Sequence, residues 1–325
     1  LTPATPGEVQ IFYGPFAKGN QYFPVTALEV DLAQGLVLAD FDQDGDLDVI
    51  AASYSASTPS VIGFANDGVG NFSYMNLPWG DIIGSAEAIA AADVDDDGIL
   101  DIIYGSLATP ASKVLIGAIG PGGYTFADVA MTASDRSNQV LGASFGDVNG
   151  DGWTDTVLAQ PLYPNDDMLS GRLAVHLNNG DGTYDGVPDC VLLTARPFTV
   201  NASKDIDNDG RIDIAAADWR EGPPDVLTSS VVLGPIDPTG LPAGSVFPAP
   251  QRLFAVKNAV SVALGDMNND GTTDILFRSS TENFSPLFYL DVNGHSLAGV
   301  DGQGWELPSV SFATKPTKSN PYGEG

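Results

Sequence analysis

The sequence has 325 residues, with 13 Lys and Arg against 42 Asp and Glu, and its formal net charge is −29. Nucleic acids and anionic membrane surfaces bind proteins through basic patches, so this charge argues against both partners. No apolar run of about 18 residues is present, which argues against insertion into a membrane. Hydrophobic residues make up 43% of the chain, and 37 Gly and 23 Pro indicate many tight turns.

The N-terminal segment EVQIFYGPFAKGNQYFPVTALEV, residues 8–30, predicts two strands that form half of a four-stranded sheet. No acidic hairpin of the kind described next precedes it. The chain opens with LTPATPG rather than with Met, so we expect a processed or excised form.

The first acidic stretch, DFDQDGDLD at residues 40–48, has an aspartate at every second position and Gly45 at the sixth. Carboxylates this close repel one another unless a cation lies among them. Alternating oxygen ligands around a glycine turn are typical of calcium loops, and a solvated acidic turn is the alternative. The repetition of the stretch along the chain favours calcium.

The acidic pattern occurs five times, with successive copies 53, 54, 58 and 61 residues apart, which indicates a repeat architecture. We expect about five calcium ions, one per loop, with ligands at loop positions 1, 3, 5, 7 and 9. Position 7 has no common side chain, so its backbone carbonyl is the expected ligand. The predicted ligands are Asp40, Asp42, Asp44, Asp46 and Asp48; Asp93, Asp95, Asp97, Ile99 and Asp101; Asp147, Asn149, Asp151, Trp153 and Asp155; Asp205, Asp207, Asp209, Arg211 and Asp213; and Asp266, Asn268, Asp270, Thr272 and Asp274.

These loops are not EF-hands, because position 12 lacks the bidentate Glu of that motif. The residues at position 12 are Ala51, Tyr104, Leu158, Ala216 and Phe277. The aspartate at position 9 is therefore the expected last carboxylate ligand. The loops contain 20 of the 42 acidic residues, so we interpret much of the acidity as a supply of ligands.

Apolar runs flank the loops, as in LVLAD (36–40), and predict strands buried on both faces, with the loop as a hairpin connection. The runs after the loops are DVIAAS (48–53), DIIYGS (101–106), DTVLAQ (155–160), DIAAAD (213–218) and DILFRS (274–279). A second turn about thirty residues after each loop start predicts another hairpin. These turns are NDGVGNF (66–72), GPGGYTF (120–126), NNGDGTY (178–184), DPTGLP (237–242) and DVNGHS (291–296). Each repeat thus predicts four strands, A to D.

Four-stranded antiparallel sheets repeating at this length favour an all-β fold, a β-propeller, with a solenoid or stacked sheets as the alternative. About six blade positions are expected, and five or seven remain open. The termini are expected to meet in one composite sheet, with WELPSVSFA (305–313) as its C-terminal strand. A single propeller domain is predicted at 1–313, followed by a flexible tail at 314–325. Its parts are the half blade at 8–30 and repeats at about 36–80, 89–133, 143–198, 201–255 and 260–313.

The five loops and their flanking strands resemble the FG-GAP/VCBS repeat family, the calcium-loop β-propellers of the integrin α-chain head and of many secreted microbial proteins. The resemblance covers about residues 36–313. It implies loops at the A–B hairpins on one rim, with ions of structural role. Family members include adhesion receptors, fungal lectins, and propeller parts of polysaccharide lyases and phospholipases. Asn149 and Asn268 depart from the pattern by one charge each, so weaker binding is expected there.

The sequence contains no G-x-S-x-G, no H-E-x-x-H and no phosphate-binding glycine loop before a helix, which argues against several enzyme classes. His176 and Cys190 fall in apolar runs and are predicted to be buried strand residues, and a single cysteine excludes an internal disulfide. Four tryptophans lie in or beside turns, where they either stack on sugars or cap the spaces between blades. They are Trp79, Trp153, Trp219 and Trp305.

We expect a secreted or surface-displayed, calcium-stabilised propeller, because millimolar extracellular calcium can fill such loops. The leading function is a non-catalytic one: adhesion, or lectin-like carbohydrate recognition, with a glycan or an extracellular protein as ligand. One alternative is a self-assembling subunit of a surface layer or filament, and another is the propeller of a polysaccharide-active enzyme. Asn71, Asn201 and Asn283 begin N-glycosylation sequons.

Overall fold

The computed structural model describes residues 7–13, 26–54, 60–75, 85–106, 113–120, 123–130, 139–161, 171–194, 196–219, 229–247, 251–254, 256, 258–267, 269–279 and 287–288. All regular elements in these ranges are β-strands, which confirms the all-β prediction. The same ranges contain no helix with the length and hydropathy needed to cross a membrane.

A two-stranded antiparallel sheet, called here the N-terminal sheet, confirms the strands predicted in residues 8–30. It consists of β1 (Glu8–Ile11) and β2 (Thr26–Glu29), with Val9 opposite Leu28. Both of these side chains are buried and face the first of five larger sheets.

Sheets 1 and 2 each have four antiparallel strands in sequence order. Sheet 1 comprises β3 (Ala33–Ala39), β4 (Asp48–Ser53), β5 (Val61–Asn66) and β6 (Phe72–Met75). Sheet 2 comprises β7 (Ala86–Ala92), β8 (Asp101–Ser106), β9 (Lys113–Gly120) and β10 (Gly123–Ala130). In both sheets the acidic loop joins the first two strands, as expected. The turn predicted at 66–72 joins the last two strands of sheet 1, whereas most of the turn predicted at 120–126 lies within β10 of sheet 2, which begins at Gly123.

Sheets 3 to 5 repeat the antiparallel order of the first two. Sheet 3 comprises β11 (Gly142–Gly146), β12 (Asp155–Gln160), β13 (Gly171–His176) and β14 (Cys190–Thr194). Sheet 4 comprises β15 (Pro197–Lys204), β16 (Asp213–Asp218), β17 (Ser229–Val232) and, after the two-residue β18 (Ser245–Val246), β19 (Gln251–Phe254). The described strands of sheet 5 are β20 (Ala259–Gly265), β21 (Asp274–Ser279) and β22 (Leu287–Phe288).

One strand departs from the predicted pattern of four strands per sheet. β18, from the connection between β17 and β19, joins sheet 3 and runs parallel to β14, with Cys190 opposite Ser245. A two-residue strand has no periodicity, so its sequence contains no signal for this pairing. The predicted turn at 291–296 and the strand at 305–313 lie outside the described residues.

The second strand of each sheet matches the predicted apolar run from its first residue to its last. Every residue of β4, β12 and β16 is buried, which confirms the prediction of strands covered on both faces. Ile102 of β8 packs with Ile50 in the cluster between sheets 1 and 2, whereas the adjacent Ile103 packs with Leu158 between sheets 2 and 3. Consecutive apolar residues are therefore needed in sheets 1 to 4, because each of these sheets has a described neighbour on both sides.

The first strands of the five sheets lie next to one another in chain order, since β3 contacts β7, β7 contacts β11, β11 contacts β15, and β15 contacts β20. At Gly146 of β11, a Cβ atom would collide with the carbonyl group of Ala202 on β15, so only glycine allows the two strands this approach. Sheets arranged in this way are consecutive blades of the propeller type. Closure of the ring, the number of blades and the domain limits stay predictions.

The first strand of sheet 1 contradicts the prediction of burial on both faces. Leu36 and Leu38 on β3 are 52% and 63% exposed. They lie opposite Ala51 and Val49, on the face of sheet 1 that the N-terminal sheet covers at β4. The two strands of the N-terminal sheet do not extend over β3, and its two leucines are therefore left in contact with solvent.

Candidate metal centre

Each acidic loop joins the first and second strands of its sheet, and all five have a positive φ at positions 4 and 6. Position 4 has a φ of 59–82° in each loop, a feature that the sequence analysis did not predict. These residues are Gln43, Asp96, Gly150, Asn208 and Asn269. The glycine at position 6 has a φ of 84–99°, and a Cβ there would meet no atom within 4 Å. Glycine is therefore needed at position 6 for its backbone conformation and not for space.

Carboxylates inside each loop accept hydrogen bonds from the backbone N–H groups of the turn. The position-1 carboxylate accepts a hydrogen bond from the N–H of position 6, at 2.8–3.0 Å in all five loops. The position-5 carboxylate accepts one from the N–H of position 7, also at 2.8–3.0 Å. An ionised carboxylate has about four lone-pair positions, so these bonds leave further oxygen lone pairs for a cation.

The buried aspartate at position 9 connects the loop to the third strand of its sheet. Asp101 Oδ2 accepts the N–H of Val94 in loop 2, and Oδ1 accepts that of Gly117 on β9, at 2.7 and 2.6 Å. Loops 1, 3 and 4 repeat this pair of bonds. Position 9 therefore has a structural task in addition to its predicted role as a ligand.

Burial changes the protonation chemistry of these position-9 side chains. It raises the pKa of Asp101 and of Asp155 to about 7 and that of Asp213 to about 6, because a buried carboxylate is poorly solvated in its charged form. Hydrogen bonds from backbone N–H groups act in the opposite direction. A cation among the carboxylates would also favour the ionised form.

The carboxylates at positions 1, 3 and 9 converge in loops 1, 2 and 4, where one oxygen atom from each lies within 4.8 Å of the others. Calcium binds oxygen at about 2.3–2.6 Å, so ligands on opposite sides of one ion are about 5 Å apart. Oδ1 of Asp40 is buried and has no hydrogen-bond partner. The donor set fits a hard divalent cation such as calcium. The three groups are Asp40, Asp42 and Asp48; Asp93, Asp95 and Asp101; and Asp205, Asp207 and Asp213.

Loops 3 and 5 differ because the sequence has asparagine at position 3. In loop 3 the amide Nδ2 of Asn149 donates to Asp151 Oδ2 at 2.8 Å, and its Oδ1 accepts the N–H of Asp151 at 2.9 Å. Asn268, at the same position of loop 5, lies outside the described residues. Loop 3 retains the turn conformation with one carboxylate fewer.

Position 2 of the loop has a role that the sequence analysis missed, although a regular apolar residue between the first two acidic positions was the available signal. The position-2 residues of loops 1 to 4 are buried between sheets; they are Phe41, Val94, Val148 and Ile206. The carbonyl of Val148 in loop 3 accepts the N–H of Ile236, in the connection that follows β17 of sheet 4, at 2.7 Å. The carbonyl of Val94 in loop 2 accepts Nδ2 of Asn178 in sheet 3, also at 2.7 Å. Loops 2 and 3 are therefore each bonded to the following sheet.

Asn178, which is 5% exposed, forms several hydrogen bonds around loops 2 and 3. Besides its bond to loop 2, its Nδ2 donates to the carbonyl of Thr154 at 3.2 Å, and its backbone N–H donates to Asp155 Oδ1 at 2.9 Å. Its Oδ1 accepts the N–H groups of Gly180 and Gly182 at 2.9 and 3.1 Å. One side chain thus joins loop 2, loop 3 and the C–D turn of sheet 3.

His176 and Cys190 are buried strand residues, as predicted. His176 ends β13, and burial lowers its pKa to about 4. Cys190 begins β14, and burial raises the pKa of its thiol to about 12, which keeps the thiol protonated and poorly reactive.

Two of the four tryptophans are within the described residues, at opposite ends of their sheets. Trp153 occupies position 7 of loop 3 and is partly exposed. Trp219 follows the last residue of β16, at the end away from loop 4. It is partly exposed, and the guanidinium of Arg196 lies 4.5 Å from the centre of its ring. Trp79 and Trp305 lie outside the described residues.

Asp218, beside Trp219, is a buried carboxylic acid outside the acidic loops. Its Oδ1 accepts the N–H of Arg196 at 2.8 Å. Burial raises the pKa of Asp218 to about 8, against the opposing effects of this N–H and of the Thr194 hydroxyl.

Comparison with known proteins identifies the repeats. A family model described as FG-GAP-like repeat matches residues 34–104, 147–216 and 205–277, which together span more than half of the chain. No curated protein matches the sequence. A solved structure, "Humanized mutant of the Chaetomium thermophilum Polycomb Repressive Complex 2 bound to the inhibitor GSK126", is similar with 11% identity and a TM-score of 0.46. The match covers 83% of this chain and 59% of that chain, so this chain spans less than two thirds of it.

Proposed function

Because this chain belongs to the FG-GAP-like repeat family, we propose that it is a calcium-stabilised propeller, secreted or displayed on a cell surface. In this proposal it binds an extracellular ligand and catalyses no reaction. The observation that supports calcium most directly is the convergence of three carboxylate oxygens within 4.8 Å in loops 1, 2 and 4. The extracellular location follows from the millimolar calcium available there.

In loop 2, Asp93, Asp95 and Asp101 would hold the ion, with Asp97 as a further carboxylate of the loop. A bound cation supplies positive charge and oxygen coordination that compensate the repulsion within the cluster. Asp101 transmits this stabilisation, because its two oxygens also accept N–H groups from the loop and from β9. The loop is thereby fixed to its own sheet.

Two substitutions in loop 2 test the ligand set. Asp95→Asn removes a charge at position 3, where we expect at least tenfold weaker calcium binding to one of the sites measured by titration calorimetry, because ligand charge sets affinity. Asp96→Asn removes the same charge at position 4, whose exposed side chain is outside the converging group. This control should bind as the unchanged protein does, since loops 4 and 5 already have asparagine at position 4.

Equal effects of the two substitutions would contradict the assignment of ligands. If calcium released no heat and a competing chelator dye also detected no uptake, the proposed calcium role would be wrong altogether.

For the ligand, we propose a glycan bound on the rim opposite the acidic loops, near Trp219. Aromatic rings beside polar groups offer both an apolar face and hydrogen bonds, which is the combination that sugars require. Trp219 is partly exposed, and Arg196 lies beside it as a donor of hydrogen bonds. An extracellular protein ligand is the second candidate at this rim.

A glycan array in millimolar calcium tests this proposal. We expect binding to a limited set of glycans that is lost in Trp219→Ala, because the ring supplies the stacking surface. Trp153→Ala, at the opposite end of its sheet, is the matched control and should keep the same set. Retained binding by Trp219→Ala would contradict the location. If no glycan bound while circular dichroism showed an intact fold, a protein ligand would replace the glycan.

A further inference from the structure

We infer that Asn149, at position 3 of loop 3, is a site of spontaneous deamidation, a modification that gives this loop the acidic pattern of loops 1, 2 and 4. The reaction consumes water, releases ammonia and replaces the side-chain amide with a carboxylate. The covalent step does not depend on calcium. Its consequence for ion binding rests on the proposed function.

The first observation is the sequence Asn149–Gly150. A glycine after an asparagine leaves the backbone nitrogen unshielded, so this nitrogen can approach Cγ of the asparagine side chain. The chain has two other such pairs, Asn179–Gly180 in the C–D turn of sheet 3 and Asn293–Gly294, which lies outside the described residues. Asn149 is partly exposed and Gly150 is exposed, so water has access to the reacting groups.

The second observation is the set of hydrogen bonds around the two reacting groups. The N–H of Gly150 donates to Asp147 Oδ1 at 2.7 Å. Oδ1 of Asn149 accepts the N–H of Asp151 at 2.9 Å, and its Nδ2 donates to Asp151 Oδ2 at 2.8 Å. The attacking nitrogen thus has a carboxylate that can take its proton, and the carbonyl under attack has a donor that stabilises negative charge on its oxygen.

The reaction steps follow from these contacts. The nitrogen of Gly150 forms a bond to Cγ of Asn149 while its proton passes to Asp147, and the carbonyl oxygen becomes an oxyanion bonded to the N–H of Asp151. The proton is then delivered through water to Nδ2, the bond between Cγ and Nδ2 breaks, and ammonia leaves behind a cyclic imide. Water opens this imide. Addition at Cγ gives aspartate, and addition at the backbone carbonyl gives isoaspartate.

Asn179–Gly180 provides an internal comparison. The N–H of Gly180 donates to Oδ1 of Asn178 at 2.9 Å, and this acceptor is a neutral amide oxygen, a far weaker base than a carboxylate. Nδ2 of Asn179 donates to the hydroxyl of Thr183 at 3.1 Å. Asn179 is exposed. The two pairs therefore share their sequence and their access to water, and they differ in the groups around the reacting atoms.

The product changes the chemistry of loop 3. An aspartate at position 3 has no N–H to donate, so the bond from Asn149 to Asp151 Oδ2 would be lost. The two carboxylates would repel one another unless a cation lay between them. Deamidation should therefore raise the calcium affinity of loop 3 as the molecule ages, because ligand charge sets affinity.

The experiment incubates the whole folded chain in EGTA and measures the rate at each asparagine by proteolytic digestion and mass spectrometry. We expect Asn149 to deamidate at least about tenfold faster than Asn179, because the nitrogen that attacks Asn149 is bonded to a carboxylate. In concentrated urea the two rates should become similar, since both pairs then retain the same sequence without these contacts. Separation of the aspartate and isoaspartate peptides identifies the products.

Gly150→Gln tests the role of the glycine. Gln43 occupies the same position of loop 1 with a positive φ, and a Cβ at Gly150 would meet no atom within 4 Å, so the variant should fold. Its side chain hinders ring closure, and the rate at Asn149 should fall at least about tenfold. The rate at Asn179 should stay the same, and circular dichroism checks the fold.

Equal rates at Asn149 and Asn179 in the folded chain, or an unchanged rate in Gly150→Gln, would overturn the inference. Isoaspartate as the sole product would also overturn it, because the acidic pattern of the other loops would not be restored.

Asn149→Asp supplies the uniform product. Titration calorimetry should show calcium binding at one site at least about tenfold tighter than in the unchanged protein. Deamidation of Asn149 without this gain in Asn149→Asp would contradict the calcium role of loop 3 and would leave the modification itself supported. The two proposals can therefore fail separately.

Discussion

Asp218 shows how one buried side chain creates a dependence on pH. In the folded chain its pKa is raised to about 8, whereas the ordinary value of 3.8 applies when the chain is unfolded. At neutral pH the folded state therefore still holds a proton that the unfolded state has already released, since the unfolded carboxyl ionises at about pH 4. The resulting stabilisation is fully present below the unfolded pKa and is lost as the pH rises through the folded pKa.

We predict that Asp218→Asn removes this dependence, because an amide does not ionise. Relative to the variant, the unchanged protein should lose up to about 1.4 kcal/mol of unfolding free energy per pH unit between pH 5 and 7, and the loss should level off above pH 8. Urea unfolding of both proteins at several pH values and constant calcium concentration measures this difference in unfolding free energy. Asp237→Asn is the control: hydrogen bonds from the Thr239 side chain and backbone lower the pKa of the exposed Asp237. Parallel pH curves for Asp218→Asn and the unchanged protein would contradict the prediction.

At the scale of the element, the acidic loop has two tasks that involve different positions. Positions 1, 3 and 9 bring carboxylates together, while positions 2 and 9 connect the loop to neighbouring strands. Loops 2 and 3 meet at Asn178, whose side chain bonds to both. Substitution of this one uncharged side chain should therefore weaken two loops together.

We predict that Asn178→Ala lowers the free energy of unfolding by about 2 kcal/mol, because the buried carbonyl of Val94 loses the donor at 2.7 Å. Asn66→Ala is the matched control. It removes the side-chain bond to the carbonyl of Leu47, at 3.1 Å, from a residue that is only partly buried, and its effect should be smaller. Urea unfolding of both variants measures the difference. A larger loss in Asn66→Ala would show that the contact between loops 2 and 3 contributes little.

The sequence predicted the elements that depend on local chemistry. Burial on both faces requires an unbroken apolar run, so the second strands were predicted with their observed limits, as in DVIAAS (48–53). The glycine at loop position 6 was predicted because its φ excludes most side chains. Position 4 was missed, although Asp96, Gly150, Asn208 and Asn269 are residue types that adopt a positive φ more readily than most. Gln43 has no such preference, so the first loop alone contains no signal for this conformation.

Features that depend on distant parts of the chain were not predictable. β18 pairs with β14 only because a long connection in sheet 4 passes sheet 3. The exposure of Leu36 and Leu38 is set by what the N-terminal sheet covers, and their sequence is as apolar as that of buried strands.

The metal-ligand set of the acidic loops was proposed from the spacing of their residues alone. The structure brings its positions 1, 3 and 9 together in loops 1, 2 and 4, and Asn268 lies outside the described residues.

At the scale of the whole molecule, the net charge of −29 opposes a compact fold through repulsion among its own side chains. Bound calcium would reduce this repulsion where it is strongest, because 20 of the 42 acidic residues belong to the loops. The loops lie at equivalent places in five successive sheets, so their stabilisation is expected to add up along the molecule.

We predict that chelation by EGTA lowers the melting temperature by at least about 10 °C, because several sites each contribute about 2–3 kcal/mol when the ion concentration is about 100 times the dissociation constant. Differential scanning calorimetry with and without calcium measures the change. A matched sample with added sodium chloride separates general screening from specific binding. Identical melting in EGTA and calcium would exclude a stabilising role for the ion.

The bonds from position 2 of a loop to the next sheet also determine how the molecule would respond to force. Each of these bonds joins one sheet to the next, as does the bond from Ile236, just after β17 of sheet 4, to the carbonyl of Val148 in loop 3. Tension on the two ends of the chain would therefore detach one sheet at a time while the others kept their shape. Each rupture would release one repeat of 53–61 residues, or roughly 180–220 Å of extended chain. Such stepwise yielding would absorb a pull without loss of the whole fold.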